Sequence, residues 1–302
     1  GSEFNSYLEY PELTSAPERD FEIQKGTATI PAGATSTTLV AGVDYVAPSA
    51  STSAFMRITN VGMTGAGHNT GNTLAQNATN TTAYLLDPAN IMSSVTVHRT
   101  GVSSSTRVAW EIIEFIGAPG SDNEMVVRAQ SSLIYAAAST SATSTTVSGV
   151  VNDNDIVVFI TGQQNPDTAS TNYNSGLNTS EWDASIDRGI FRRGTSGSDA
   201  GRVSYAVVEF TGQNWNIQRV EHTYTSAGVT ETEAITSVND TERAFLHTQK
   251  RNNTGLTGTD EFGHEVWLSS MGFVSFFLQS GATTPSGQTS VAWVIENVQT
   301  SE

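Results

Sequence analysis

Val108-Ala-Trp-Glu-Ile-Ile-Glu-Phe115, Val203-Ser-Tyr-Ala-Val-Val-Glu-Phe210 and Val291-Ala-Trp-Val-Ile-Glu-Asn297 are three variants of one strand. Their aromatic anchors, Trp110, Tyr205 and Trp293, lie 95 and 88 residues apart. A period of roughly ninety is too long for one turn of a solenoid and fits a small β-domain. The chain therefore reads as tandem copies of one unit over residues 21–116, 123–211 and 215–298. Residues 1–20 stand apart: Gly-Ser-Glu-Phe reads as a cloning scar, and the rest as a linker or extended arm. The copies are not in perfect step. Glu follows the aromatic by four positions in the first two and by three in the last, so a bulge or a shifted register is expected there.

Working outward from the closing strand, each copy offers shorter β-patterned runs. In the first copy, Phe21–Ile30 alternates with period two, Pro31-Ala-Gly33 is a turn, and strands follow at Thr35–Val40, Ala54–Asn60, Thr82–Leu86, Ser94–Arg99 and Arg107–Phe115. The second copy repeats this at Met125–Tyr135, Thr143–Val151, Asp155–Thr161, Gly189–Arg193 and Arg202–Phe210. The third does so at Ile217–Tyr224, Glu231–Val238, Arg243–Thr248, Glu265–Ser269, Phe273–Gln279 and Ser290–Val298. No stretch sustains helical spacing, while Thr and Val are abundant. The expected fold class is all-β: tandem antiparallel β-sandwiches, closed into a pseudo-trimer or strung as beads. Long polar stretches at Asn60–Thr81, Gln163–Asp187 and Lys250–Gly263 each follow the third strand of a copy, which puts them on one face if the copies pack symmetrically.

Composition narrows the function. Hydrophobic residues make up 37% and charged residues 15%, so the surface is polar through hydroxyls and amides, as in extracellular and virion β-proteins. A formal charge of −16 argues against nucleic acid and anionic membranes, which need clustered Lys and Arg. Without cysteine there are no disulfides or thiolate metal sites. No run reaches the roughly eighteen apolar residues of a membrane helix.

Catalytic patterns are missing: His264-Glu265 lacks a second histidine at zincin spacing, and Ser269 and Ser270 lack the nucleophile-elbow glycines. Acidic pairs such as Asp183/Asp187 and Asp260/Glu261 sit in polar stretches, where solvated carboxylates are the ordinary case. The chain is therefore expected not to be an enzyme. Asn152-Asp-Asn-Asp155 is an oxygen-rich cluster able to ligate calcium through Asp153 and Asp155, and is also ordinary turn chemistry. Tyr173 and Trp182, with Asp183, sit in polar surroundings where an exposed ring suits the apolar face of a pyranose. Those three form the expected contact point on the long loops; the alternative is a loop anchored by its own Trp.

With six short strands and this closing strand, each copy resembles an H-type lectin domain. The segments that carry the likeness are Tyr84-Leu-Leu-Asp-Pro-Ala-Asn through Val97-His-Arg-Thr-Gly to Val108-Ala-Trp110, and Val266-Trp-Leu-Ser-Ser-Met-Gly-Phe to Ser290-Val-Ala-Trp293. The likeness implies trimers of six-stranded sandwiches with galactose-type sugars in the clefts between subunits. Snail members contact sugar through a Trp-His pair shortly before the closing Trp. The same count here reaches His98-Arg99, Arg193-Gly194 and Gly281-Ala282, none of which keeps that pair. His98, Arg99 and Arg193 are the sugar-contact candidates that the likeness supplies.

The resulting expectation is a non-catalytic adhesion or carbohydrate-binding protein at a cell or virion surface. Its partners would be a surface glycan or copies of itself, and calcium is the one cofactor with candidate ligands. The alternatives are a structural component of a virion or surface layer, and an accessory module of a glycoside-active enzyme.

Overall fold

A computed structural model of the chain describes residues 20–64, 82–102, 104–136, 138–164, 177–194, 200–252, 264–278 and 287–298. The strands of the first unit are β1 (Phe21–Ile30), β2 (Ser36–Val40), β3 (Ala54–Thr64), β4 (Tyr84–Leu85), β5 (Ser94–His98) and β6 (Ser105–Phe115). The second holds β7 (Val126–Ile134), β8 (Ser141–Thr143), β9 (Ile156–Gln164), β10 (Asn178–Asp183), β11 (Arg188–Arg193) and β12 (Arg202–Glu209). The third holds β13 (Trp215–Thr223), β14 (Thr230–Ala234), β15 (Ala244–Asn252), β16 (His264–Ser270), β17 (Phe273–Leu278) and β18 (Gln288–Asn297). Every unit is two three-stranded antiparallel sheets of one topology: β1-β6-β3 with β2-β5-β4, β7-β12-β9 with β8-β11-β10, and β13-β18-β15 with β14-β17-β16. The fold is all-β, and helix among the described residues is limited to single 3-10 turns such as Pro88–Asn90.

The closing strands β6, β12 and β18 are central in their sheets. Both edges of each are paired and both faces covered, so Val203–Glu209 is buried throughout. The glutamate of the repeated motif has a structural task in every unit. Glu114 Oε1 accepts from the Ser49 backbone N–H and hydroxyl at 2.6 Å each. Glu209 Oε1 accepts from Val151 N–H (2.8 Å) and Asn152 N–H (2.6 Å), and its Oε2 pairs with Arg128 at 2.5 Å. Glu296 Oε1 takes the Asn239 and Asp240 N–H groups. In each unit a buried carboxylate clamps the crossover between second and third strands, where turn N–H groups lack ladder partners.

Three expectations change in the structure. Trp293 is not the counterpart of Trp110 and Tyr205. Glu114, Glu209 and Glu296 sit opposite Ala54, Ile156 and Ala244 in their ladders, and counting back from them places Ala292 in the aromatic position. Ala292 faces the core of the third sandwich, while Trp293 faces the neighbouring unit. The partner strand compensates: Gly26, opposite Trp110, has no room for a Cβ beneath the indole, whereas Val220 fills the space opposite Ala292. Second, the stretch Gln163–Asp187 contains β10, which sequence pattern could not show. Asn178, Thr179 and Ser180 are buried yet polar: Thr179 and Ser180 hydrogen-bond to another unit, and Asn178 donates to Gln163 of β9. Third, only Ser141–Thr143 pairs in the second strand of the second unit, in place of Thr143–Val151.

The units pack side by side, not end to end. One apolar core joins Phe55 and Phe115 of the first unit, the interior of the second, and Val291, Trp293 and Ile295 of the third. The third strands converge: Phe55 lies 4.8 Å from Phe159, and Phe159 lies 4.8 Å from His247. Phe21 meets Trp215 edge-on at 5.8 Å. This is a pseudo-threefold arrangement within one chain.

Candidate functional site

The cleft with the richest side-chain chemistry lies on the seam between the second and third units. It has a volume of about 360 Å³, and its walls are Trp182 and Ala184 from the β10 end, Ile217 and Arg219 from β13, Trp293 from β18, and Asp153 and Asn154 from the β8–β9 crossover. Trp182 stands here because β10 leaves the sheet edge beside that crossover, and its Nε1 donates to Asp153 Oδ1 at 2.7 Å. The one-residue shift of the third closing strand delivers the second indole. Trp293 is 4% exposed, the Arg219 guanidinium lies 5.8 Å from its ring centroid, and its Nε1 meets no hydrogen-bond partner. Arg219 also donates to the Ser180 carbonyl at 3.0 Å, which fixes the guanidinium at the cleft wall. Two indoles, an arginine, a carboxylate and an exposed amide therefore border one concave space.

The sequence candidates distribute as follows. Trp182 is in a strand, half-buried against the shared core, and so anchors the seam as well as walling the cleft. Asp183 is spent on its own turn, accepting from the Ser185 N–H (3.0 Å) and hydroxyl (2.6 Å). Tyr173 lies outside the described residues, as do most of the long polar stretches. Arg99 and Arg193 are equivalent to each other and buried. Arg99 donates to the Pro31 and Ala34 carbonyls, and Arg193 donates to the Ser139 carbonyl while lying 4.8 Å from the Tyr135 ring centroid. Both brace the turn between first and second strands and present no guanidinium to solvent. His98 packs on Tyr84 at 5.3 Å in a different seam, where burial and then Arg202 hold its imidazole below the usual value. These three do not join Trp182.

Asp153 and Asp155 lie in a single 3-10 turn capped by Asn152, whose amide also donates to Asp155 Oδ2 at 2.5 Å. Burial, opposed by the Asn152 bond and helped by Glu209, raises the Asp155 carboxyl above its ordinary value. Among the described residues no group of three or more His, Cys, Asp or Glu is arranged to hold a metal ion. Sequence reasoning missed Arg219 and Trp293 as cleft residues. The signal was present in the shortened Trp-to-Glu spacing of the third copy, which turns Trp293 to the opposite face of its sheet.

A second cavity, about 490 Å³, opens where the third strands meet. One position of the repeat supplies Val61, Gln163 and Lys250 there, so an apolar, an amide and an ammonium group surround the axis. Burial draws the Lys250 ammonium below the usual lysine value, and no described lining residue is an acid.

Trp182→Ala removes a half-buried indole from the seam. The expected loss is about 2 kcal/mol, below the roughly 3–5 of a fully buried Trp; urea melts with an unchanged m-value would measure it.

Comparison with protein-family models, curated proteins and solved structures finds no match for this chain.

Proposed function

We propose that the protein is a non-catalytic, carbohydrate-binding adhesion module that holds its glycan in the Trp182–Trp293 cleft. The observation carrying this reading is the meeting of two indoles with Asp153, Asn154 and Arg219 in one solvent-facing space. Indole faces cover the apolar C–H patch of a sugar ring, while carboxylate, amide and guanidinium groups pair with its hydroxyls. The likeness to H-type lectins, whose sugars sit between subunits, points the same way, since this cleft lies between two units of one chain. The polar, weakly charged composition suits a cell or virion surface.

A glycan array tests the reading. Saturable binding of a defined sugar class is expected, and Ala184→Arg, a substitution at an exposed cleft wall, is expected to abolish it while the melting temperature stays within 1 °C or so, roughly the effect of a neutral surface change. An array silent for the wild type, or binding indifferent to Ala184→Arg, overturns the assignment.

A further inference from the structure

The two closed seams are built alike. In each, the fourth strand of one unit lies against the outer face of the next unit's first sheet. In the first seam, Leu85 N–H donates to Ser204 Oγ (3.1 Å), and the Ser132 hydroxyl donates to the Leu86 carbonyl (2.7 Å). In the second, Ser180 N–H donates to Gln249 Oε1 (2.7 Å), and Arg219 donates to the Ser180 carbonyl (3.0 Å). Leu85, Ser180 and Val266 occupy one position of the repeat.

Among the described residues the third seam lacks this contact. β4 is buried and β10 begins buried, whereas β16 alternates between partly buried and exposed, and Glu265, the counterpart of the buried Tyr84 and Thr179, is exposed. Across from it, Ile23 of β1 is 55% exposed, while its counterpart Val127 is 4% exposed. Lys25, Gln130 and Arg219 are likewise equivalent. Gln130 donates to the Ser51 and Ala54 carbonyls of the preceding unit and Arg219 to that of Ser180, but among the described residues Lys25 reaches only Glu111, at 3.9 Å. A cavity of about 360 Å³ remains there between Phe245 and the β1 face.

We propose that this open seam is a self-assembly surface, on which β16 of one copy docks against the outer β1 face of a second copy. Both halves of the interface used twice inside the chain are present, one in the last unit and one in the first, and no described residue occupies either. Such a contact is head-to-tail, because different patches meet. An edge strand with unpaired backbone groups is a ready template for it. Charge agrees: Lys25 and Arg57 outnumber Glu111, with which both pair, on the β1 face, and Glu265 is exposed on β16.

Sedimentation velocity of the full chain tests this. The wild type is expected to gain mass with concentration. Ile23→Glu and Trp267→Glu, on opposite halves of the contact, should each sediment as monomers with unchanged melting. Mixed in equal amounts, they should form a one-to-one dimer and nothing longer, because one intact face and one intact edge remain. Lys25→Glu, on a side chain 72% exposed, replaces Ile23→Glu if the latter melts early. A wild type that stays monomeric up to its solubility limit overturns the proposal, as does a mixture that stays monomeric or a variant that associates like the wild type.

Discussion

Glu209→Ala is expected to cost about 3–5 kcal/mol, the range for removing one partner of a buried ion pair. The carboxylate is 0% exposed and is held by Val151 N–H, Asn152 N–H and Arg128. Alanine removes the acceptor of all three donors; the Arg128 side chain is largely buried, while the exposed Val151 and Asn152 let water reach the backbone groups, which sets the loss at the lower end of that range. Glu209→Gln keeps one oxygen for the two backbone groups but turns an amide towards Arg128, so about half the loss is expected. Glu114→Ala should cost less, since among the described residues the bonds at Glu114 come from Ser49 and no cation pairs with it. Urea denaturation of the three variants measures the order. A Glu209→Ala protein as stable as the wild type would show that the crossover does not depend on its clamp. Because the core of the second unit continues into both neighbours, the loss should appear as one cooperative transition, not as early melting of a single unit.

Acid should destabilise the fold well above the carboxylate range. Burial, and secondarily Arg57, lowers the His247 pKa from 6.5 to about 3. Its Nε2 accepts from the Ile160 N–H at 3.3 Å, so the neutral imidazole is the form that the seam accommodates. Below about pH 6.5 the unfolded chain binds a proton there that the folded chain refuses. Stability therefore falls with falling pH by about 1.4 kcal/mol per unit, from near 6.5 until the folded group titrates. Between pH 7 and pH 5 this amounts to about 2 kcal/mol. His98, also lowered by burial, adds in the same direction. Glu221 and Glu231, whose values are depressed in the fold, lose their stabilising contribution only at lower pH, while Asp155, whose value is raised, acts in the opposite direction, so the difference between wild type and a His247 variant isolates the histidine. His247→Gln keeps an acceptor and removes the titration. Its stability should drop by about 2 kcal/mol less than that of the wild type over the same interval. An equal drop in both proteins would assign the acid sensitivity elsewhere.

The sandwich strands were largely legible because two-residue periodicity and turn residues are local properties. The three closing motifs announced the repeat, and their glutamate proved to be its clamp. Val151-Asn152 and Asn239-Asp240 are two instances of one clamped turn, in which Asn152 and Asp240 cap equivalent 3-10 turns. β10 was illegible for a physical reason. Apolar alternation marks strands that bury an apolar face in their own sandwich, whereas Thr179 and Ser180 are buried with polar bonds to Arg251 and Gln249 of another unit. Arg99 and Arg193 were misleading for a related reason. A guanidinium that satisfies turn carbonyls in the interior has the same sequence signature as one offered to a ligand.

The sequence by itself determined the all-β class, the triple repeat and most strand positions, since these follow from propensity and spacing within a few residues. Only the tertiary structure decided which face Trp293 occupies, that Trp182 and Trp293 share a cleft, and that two seams close alike while the third stays open. Those outcomes depend on ladder register and on contacts between units, where a one-residue shift reverses a side chain and the partner lies more than sixty positions away.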